Sequence, residues 1–153
     1  MSRFVWSPEY ELGIEVIDHQ HQRIIEYINQ IYDARSRAAA QDSLAAILPN
    51  LVDYTLSHFA FEEALLEEVD YPELSEHQLT HQHFAKLIGA MKTRFDRGEA
   101  IAEELATILQ HWLIDHIMSD DQQYAPVVKQ RLLGIQPDQQ QSWVRQAVSR
   151  YFQ

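Results

Sequence analysis

Residues 77–91 read HQLTHQHFAKLIGAM, and their apolar side chains recur at the spacing of an α-helix, which indicates the fold class. One face of such a helix carries His77, His81, Phe84, Ile88 and Met91. The stretch therefore predicts an amphipathic helix that turns this face toward a core. The two histidines are unexpected there, since the buried face of a helix is normally apolar.

The same periodicity recurs on both sides of this stretch and predicts four helical segments. They cover about Asp18–Arg37, Asp42–Val69, Pro72 to just before Gly98, and Ala100–Leu133. Pro49 and Pro126 lie inside the second and fourth segments, where we expect a kink or an interruption of the helix. An extended arm at residues 1–17 precedes the segments, and residues 134–153 predict a short amphipathic fifth helix.

Short connections between four such helices are typical of an all-α, up-down-up-down antiparallel four-helix bundle. We expect a single domain over residues 1–153, with the bundle at about 18–133. Four glycines and five prolines are too few for a turn-rich β fold.

The composition disfavours several classes of function. Twelve basic against 23 acidic residues give a formal charge of −11 at pH 7, which argues against binding to nucleic acid. No apolar run approaches the ~20 residues that a membrane helix needs, so we expect no membrane insertion. The first six residues lack a signal-peptide pattern, and we expect a cytoplasmic protein. The absence of cysteine excludes disulfides, zinc–thiolate sites and thiol nucleophiles.

Each predicted helix carries ionisable side chains within its apolar face. One such histidine is usually a hydrogen-bonded core residue, but six residues on four helices are difficult to satisfy one by one. A metal shared at one level of the bundle would satisfy them together. The six residues are His21, His58, Glu62, His77, His81 and His116.

Spacing along the helices supports a shared site. His58 with Glu62, and His77 with His81, are four residues apart, so each pair lies within ~40° on one helix face. Two such pairs on different helices are stronger evidence than one, because single pairs arise often by chance in a chain with eight histidines.

The fourth helix offers two neighbouring aspartates. Asp120 lies four residues after His116 and would share its face, whereas Asp121 lies ~140° away around an ideal α-helix. Helical periodicity therefore favours Asp120 over Asp121.

The donor types indicate the kind of metal site. Five histidines with two carboxylates exceed the four ligands of a tetrahedral zinc ion and fit two ions with one position left open. The zinc-protease motif H-E-x-x-H is absent, since Gln78 follows His77, and the E-x-x-H motif of ferritin-like di-iron proteins is absent at these histidines.

Taken together, four motifs resemble those of the hemerythrin family, and most closely its single-domain bacteriohemerythrins. They are I-D-H-Q-H ending at His21, H-x-x-x-E at His58–Glu62, H-x-x-x-H at His77–His81 and H-x-x-x-x-D at His116–Asp121. The resemblance covers roughly Trp6–Val128. It implies an oxo- or hydroxo-bridged centre of two iron ions that binds dioxygen reversibly within a four-helix bundle.

The resemblance also implies which residues hold the two ions. One iron takes His77, His81 and His116, the other takes His21 and His58, and the bridges are Glu62 and Asp121. Dioxygen would bind to the two-histidine iron. The five-residue step to Asp121 conflicts with helical periodicity, so we expect the fourth helix to deviate locally from α geometry or to approach the irons at an offset.

A second set of residues is implied around the irons. The apolar dioxygen pocket, which keeps out water and protons, corresponds to Ile24, Phe59, Trp112, Leu113 and Ile117.

Ligand histidines normally donate their second N–H to a fixed partner. The candidates for that role are Asp18, Gln20, Glu63 and Tyr124, and the remaining histidines, expected on the surface, are His19, His83 and His111.

Three functions are compatible with such a site. A dioxygen carrier or store is favoured, because no fused output domain is visible. The alternative is an oxygen or redox sensor that signals to a protein partner through the same irons. Catalysis on peroxide or nitric oxide is the least supported, since no residue is placed as a general base or nucleophile, and we expect a protein that is not an enzyme.

Overall fold

The computed structural model describes residues 4–34, 40–134 and 137–152, and in these ranges the chain is helical with no β-strand. A short 3-10 helix at Pro8–Tyr10 lies in the N-terminal arm. The α-helices are α1 (Glu15–Ala34), α2 (Ala40–Glu68), α3 (Leu74–Asp96), α4 (Ala102–Asp115), α5 (Gln122–Leu133) and α6 (Pro137–Tyr151). A π-helical segment, His116–Asp121, joins α4 to α5 and is called the π segment below.

The helices form the predicted antiparallel bundle. Helix α1 packs against α2 and α4, and α2 packs against α3. The face predicted from residues 77–91 is buried at all five positions. The all-α bundle is therefore confirmed. Among the described helices, none combines the length and the hydropathy of a membrane-spanning segment.

The N-terminal arm is tied to α1 by side chains of that helix. Asp18 accepts hydrogen bonds from the backbone N–H groups of Leu12 (2.9 Å) and Gly13 (3.1 Å). Gly13 has a φ of +81°, a left-handed conformation that glycine adopts without steric cost and that turns the arm into the helix. Asn29 pairs with the backbone of Phe4 through both its amide oxygen (2.8 Å) and its amide nitrogen (2.9 Å).

Several predicted boundaries need correction. Helix α1 begins at Glu15, so the last three residues of the predicted arm are helical. Pro49 lies inside a single helix, α2, whose first turn is not separate. Pro49 is exposed, and so is Ala45, whose carbonyl loses its helical N–H donor to the proline. The predicted end of the first helix at Arg37 lies outside the described residues.

The fourth segment is interrupted earlier than its proline suggests. Pro126 lies inside α5, whereas the departure from α geometry occurs at the π segment. Helix α6 confirms the predicted fifth helix and packs against α2. Its Trp143 ring lies 5.8 Å from the Phe61 ring, and Phe152, which follows it, lies 5.0 Å from the Tyr54 ring.

Candidate metal centre

Seven buried side chains from four parts of the bundle meet at one level. One comes from α1, two each from α2 and α3, and two from the π segment. None of the seven is more than 5% exposed. They are His21, His58, Glu62, His77, His81, His116 and Asp121, the complete predicted ligand set.

Glu62 lies between two groups of histidines. Its Oε1 atom contacts Nε2 of His77 and lies 3.1 Å from Nε2 of His81 and 3.7 Å from Nε2 of His116. Its Oε2 atom lies 3.2 Å from Nε2 of His58 and 4.0 Å from Nε2 of His21. Each group, counted with Glu62, has donor atoms within 4.8 Å of one another, which is close enough for one ion. We call them the three-histidine group (His77, His81, His116) and the two-histidine group (His21, His58).

Asp121 connects the same two groups a second time. Its Oδ1 atom lies 3.3 Å from Nε2 of His77 and 3.2 Å from Nε2 of His116. Its Oδ2 atom lies 3.1 Å from Nε2 of His21. Each of the two carboxylates thus faces one group with one oxygen and the other group with the other oxygen.

The π segment explains why Asp121 rather than Asp120 reaches this cluster. The backbone N–H of Gln122 donates to the carbonyl of Ile117, five residues back, which is the π-helical pattern. The wider turn brings residues five apart, His116 and Asp121, onto one face. The expected local deviation of the fourth helix is confirmed, and the periodicity argument for Asp120 in the cluster is wrong because it assumed an unbroken α-helix. Asp120 lies behind the ring of His116, where its Oδ2 accepts a hydrogen bond from Nδ1 at 2.9 Å.

Three of the histidines have their outer nitrogen fixed by a hydrogen bond. Nδ1 of His58 donates to Oε1 of Gln20 (2.7 Å), and Nδ1 of His81 donates to Oε2 of Glu63 (3.1 Å). With His116 and Asp120, these bonds place the proton on Nδ1 and leave the Nε2 lone pair facing the cluster.

Gln20 and Glu63, two of the four residues predicted to hold an outer histidine nitrogen, therefore do so. The other two do not, since Asp18 binds the arm and Tyr124 makes none of these hydrogen bonds to an outer histidine nitrogen. Asp120 was missed as such a partner. The signal for this role in the sequence is its position four residues after His116. Helical periodicity instead predicts a metal ligand at that position.

The donor atoms fit a metal ion better than they fit one another. Within the described residues, buried atoms of the cluster have no hydrogen-bond partner at His21 Nε2, His58 Nε2, Glu62 Oε2 and both Asp121 oxygens. Nε2 of His81 and Nε2 of His116 are 3.2 Å apart, so without a proton or a cation between them two lone pairs would face each other. A cation between such atoms removes both costs, and imidazole with carboxylate is a donor set for iron and other transition metals.

The electrostatics of the cluster also favour positive charge. Burial alone would raise the pKa of Glu62, but the neighbouring imidazoles of His116 and His58 lower it well below its usual value. Burial would lower the pKa values of His77 and His116, but Asp121 and Glu62 raise them, together with Asp120 at His116, to about 9 and about 10. For His58, burial dominates and lowers the pKa. Without an ion, the two carboxylates stay charged and attract protons instead.

Aromatic rings cover one side of the cluster. The Phe59 ring stacks on His81 with centroids 3.9 Å apart, and the Trp112 ring stacks on His116 at 4.6 Å. Of the predicted dioxygen-pocket residues, these two contact the histidines, and Trp112 is half-buried. Ile24, Leu113 and Ile117 are buried in the same core, and their role in a dioxygen pocket stays a prediction. The remaining histidines, His19, His83 and His111, are exposed as expected.

A four-helix bundle with a buried cluster of five histidines and two carboxylates, each of which faces both histidine groups, defines a bundle protein with the donor set of a metal site. Comparison with known proteins gives the family: residues 12–128 match the domain described as "Hemerythrin HHE cation binding domain", and the chain belongs to the hemerythrin family. Its relatives include a bacteriohemerythrin of Stenotrophomonas maltophilia, 40% identical over 99% of both chains. A bacteriohemerythrin of Pseudomonas aeruginosa is 37% identical over the same shares.

Solved structures support the fold independently. A wild-type hemerythrin crystal structure superposes with a TM-score of 0.77 at 23% sequence identity. The match covers 83% of this chain and 98% of that one.

Proposed function

We propose that this protein binds dioxygen reversibly at a non-haem di-iron centre and serves as an oxygen carrier or store. The observation that carries the proposal is that Glu62 and Asp121 each connect the three-histidine group to the two-histidine group. We propose that each group holds one iron ion and that both carboxylates bridge the two ions.

The unequal histidine count supports a binding position for a small ligand. The two-histidine group offers one imidazole fewer, so an ion there would keep one position open for dioxygen. When bound, a pair of ferrous ions supplies the two electrons that dioxygen binding requires. The protein's own part is to hold neutral imidazoles in a fixed tautomer and to cover the three-histidine side of the cluster with the packed rings of Phe59 and Trp112.

Family membership supports binding rather than catalysis. The similar chains from S. maltophilia and P. aeruginosa carry the name bacteriohemerythrin. We infer that the described core, with its buried ligands and packed rings, serves a ligand as small as dioxygen rather than an organic substrate.

The test is an optical titration under controlled oxygen. The protein is loaded with ferrous iron without oxygen, iron per chain is counted, and visible absorption is followed as oxygen is admitted and then removed. The proposal expects two irons per chain and a coloured oxygenated form that bleaches when oxygen is removed. Prompt, irreversible conversion to diferric protein, or loss of all bound iron, would contradict it.

Two histidine variants sharpen this test. His81→Ala removes a member of the three-histidine group and should abolish the colour. His83→Ala removes an exposed histidine only two residues away and should leave both iron content and colour unchanged. Equal behaviour of the two variants would mean that the cluster is not the oxygen site.

One observation favours a sensor as the second candidate. Helix α6 lies beyond the family match, which ends at residue 128, and it packs on α2, the helix that carries His58 and Glu62. A change at the irons could therefore alter α6. Hydrogen exchange of the α6 amides should differ between oxygenated and deoxygenated protein if the protein is a sensor, and should be the same if it is a carrier.

A further inference from the structure

We propose that the three-histidine group is the first and tighter of the two metal positions, and that Glu63 and Asp120 are the positioning residues that make it so. The inference rests on the proposed two-metal site. It adds an order of filling and assigns that order to two residues that touch no metal themselves.

The partners of the outer nitrogens are distributed unequally between the two groups. In the three-histidine group, His81 donates to the carboxylate of Glu63 and His116 donates to the carboxylate of Asp120. In the two-histidine group, His58 donates to the neutral amide of Gln20. Nδ1 of His21 is buried and has no hydrogen-bond partner among the described residues.

A carboxylate and an amide do not have the same effect on an imidazole. Both fix the proton on Nδ1, but only the carboxylate adds negative charge, which strengthens Nε2 as a donor to a cation. An unpartnered Nδ1, as in His21, leaves the tautomer and the ring orientation to be set when the ion binds. The cost of ordering the ligands is therefore lower in the three-histidine group.

Ring packing follows the same division. The two histidines that have carboxylate partners are also the two that lie flat against aromatic rings, His81 against Phe59 and His116 against Trp112. In the two-histidine group, the rings of His21 and His58 meet edge to face, with centroids 4.8 Å apart. In the three-histidine group, the rings of His81 and His116 are thus each fixed twice, by a hydrogen bond to a carboxylate and by stacking on an aromatic ring.

Differences in burial explain why the charged partners, Glu63 and Asp120, lie beside the three-histidine group. The side chains of Glu63 and Asp120 are 28% and 33% exposed, so each carboxylate keeps contact with water while it holds a buried histidine. Gln20 is almost fully buried, and a carboxylate there would lose its hydration beside two existing buried carboxylates. A neutral amide is therefore the partner that fits the two-histidine side.

The experiment is a calorimetric titration of the metal-free full-length protein with Zn²⁺, a probe that needs no oxygen and no redox step. We expect two steps of unequal affinity. Glu63→Gln and Asp120→Asn keep an oxygen acceptor but remove its charge, and each should weaken the first step by ~10–100-fold, the range for partners of metal-bound histidines. Gln20→Ala is the matched control and should weaken only the second step.

Ligand variants identify the steps directly. His58→Ala should keep one tight Zn²⁺ ion, whereas His81→Ala should lose the tight step. Thermal unfolding of each metal-free variant shows that a lost step does not reflect an unfolded chain.

Other outcomes separate this inference from the proposed function. The order of filling would be overturned if the protein binds two Zn²⁺ ions but Glu63→Gln and Asp120→Asn leave the first step unchanged. It would also be overturned if Gln20→Ala weakens the first step. Either result would keep the two-metal site. Failure of the unmodified protein to bind any Zn²⁺ would overturn both.

Discussion

Asp121→Asn, compared with Asp120→Asn, tests the consequence of the π segment for the metal centre. Both substitutions replace a carboxylate with an amide of the same shape on adjacent residues. Asp121 places its oxygens 3.1–3.3 Å from Nε2 atoms of His21, His77 and His116, and it is fully buried. Asp120 accepts a hydrogen bond from the outer nitrogen of His116, and its side chain is one-third exposed.

The expected magnitudes follow from these positions. Removing one partner of a buried charge pair costs ~3–5 kcal/mol because the other charge stays buried. Since ~1.4 kcal/mol corresponds to a factor of ten, Asp121→Asn should lower metal affinity roughly 100- to 4,000-fold. Asp120→Asn acts through His116 and should lower it ~10–100-fold.

The assay is competition for metal against a chelator of known affinity. Circular dichroism of the metal-free variants confirms that both remain helical. A greater loss for Asp120→Asn than for Asp121→Asn would mean that Asp120 is the ligand and that the π segment does not position the centre.

Three further predictions concern the stability of the bundle. Metal removal should lower the thermal midpoint, since ligand present at ~1,000 times its dissociation constant stabilises the folded state by ~4 kcal/mol; an unchanged midpoint would show that the cluster does not couple metal binding to folding. Trp143→Ala should lower the free energy of unfolding by about 2 kcal/mol, below the ~3–5 kcal/mol of a fully buried tryptophan because Trp143 is only partly buried, and two ions should still bind; loss of an ion would link α6 to the centre. Asn29→Ala removes both hydrogen bonds to the Phe4 backbone and should cost ~1–3 kcal/mol in denaturant unfolding, with faster proteolysis of the arm; an unchanged cleavage rate would mean that Asn29 does not hold it.

The fold was predictable because its signal is repeated in every helix. The face that contains His77 and His81 shows helical spacing over four turns, and the other segments repeat it, so the bundle follows from burial alone. The helix ends were less predictable. Pro49 is tolerated inside α2 because it faces solvent, and that orientation depends on packing rather than on the local sequence.

The assembly of the candidate ligands was predictable to a similar extent, with one instructive exception. Histidines and Glu62 interrupt apolar faces, and each such interruption is visible in the sequence. The choice between Asp120 and Asp121 was not accessible to periodicity, since it depends on a backbone hydrogen bond from Gln122 to Ile117 that one wide turn creates. Family resemblance favoured Asp121, and the structure supplies the physical reason.

The partners of the outer histidine nitrogens were predicted only in part. Gln20 and Glu63 were candidates by proximity in sequence, but which histidine each would hold depends on how α1, α2 and α3 pack together. Asp18 was an equally good candidate, yet it faces the arm rather than the cluster.

The most direct test of the central claim is an anomalous diffraction experiment at the iron absorption edge on crystals of the iron-loaded protein. The proposed di-iron centre predicts two iron peaks per chain, one among Nε2 of His77, His81 and His116, and one between Nε2 of His21 and His58, with Glu62 and Asp121 each contacting both ions. A single peak, or two peaks that share only one carboxylate, would contradict it.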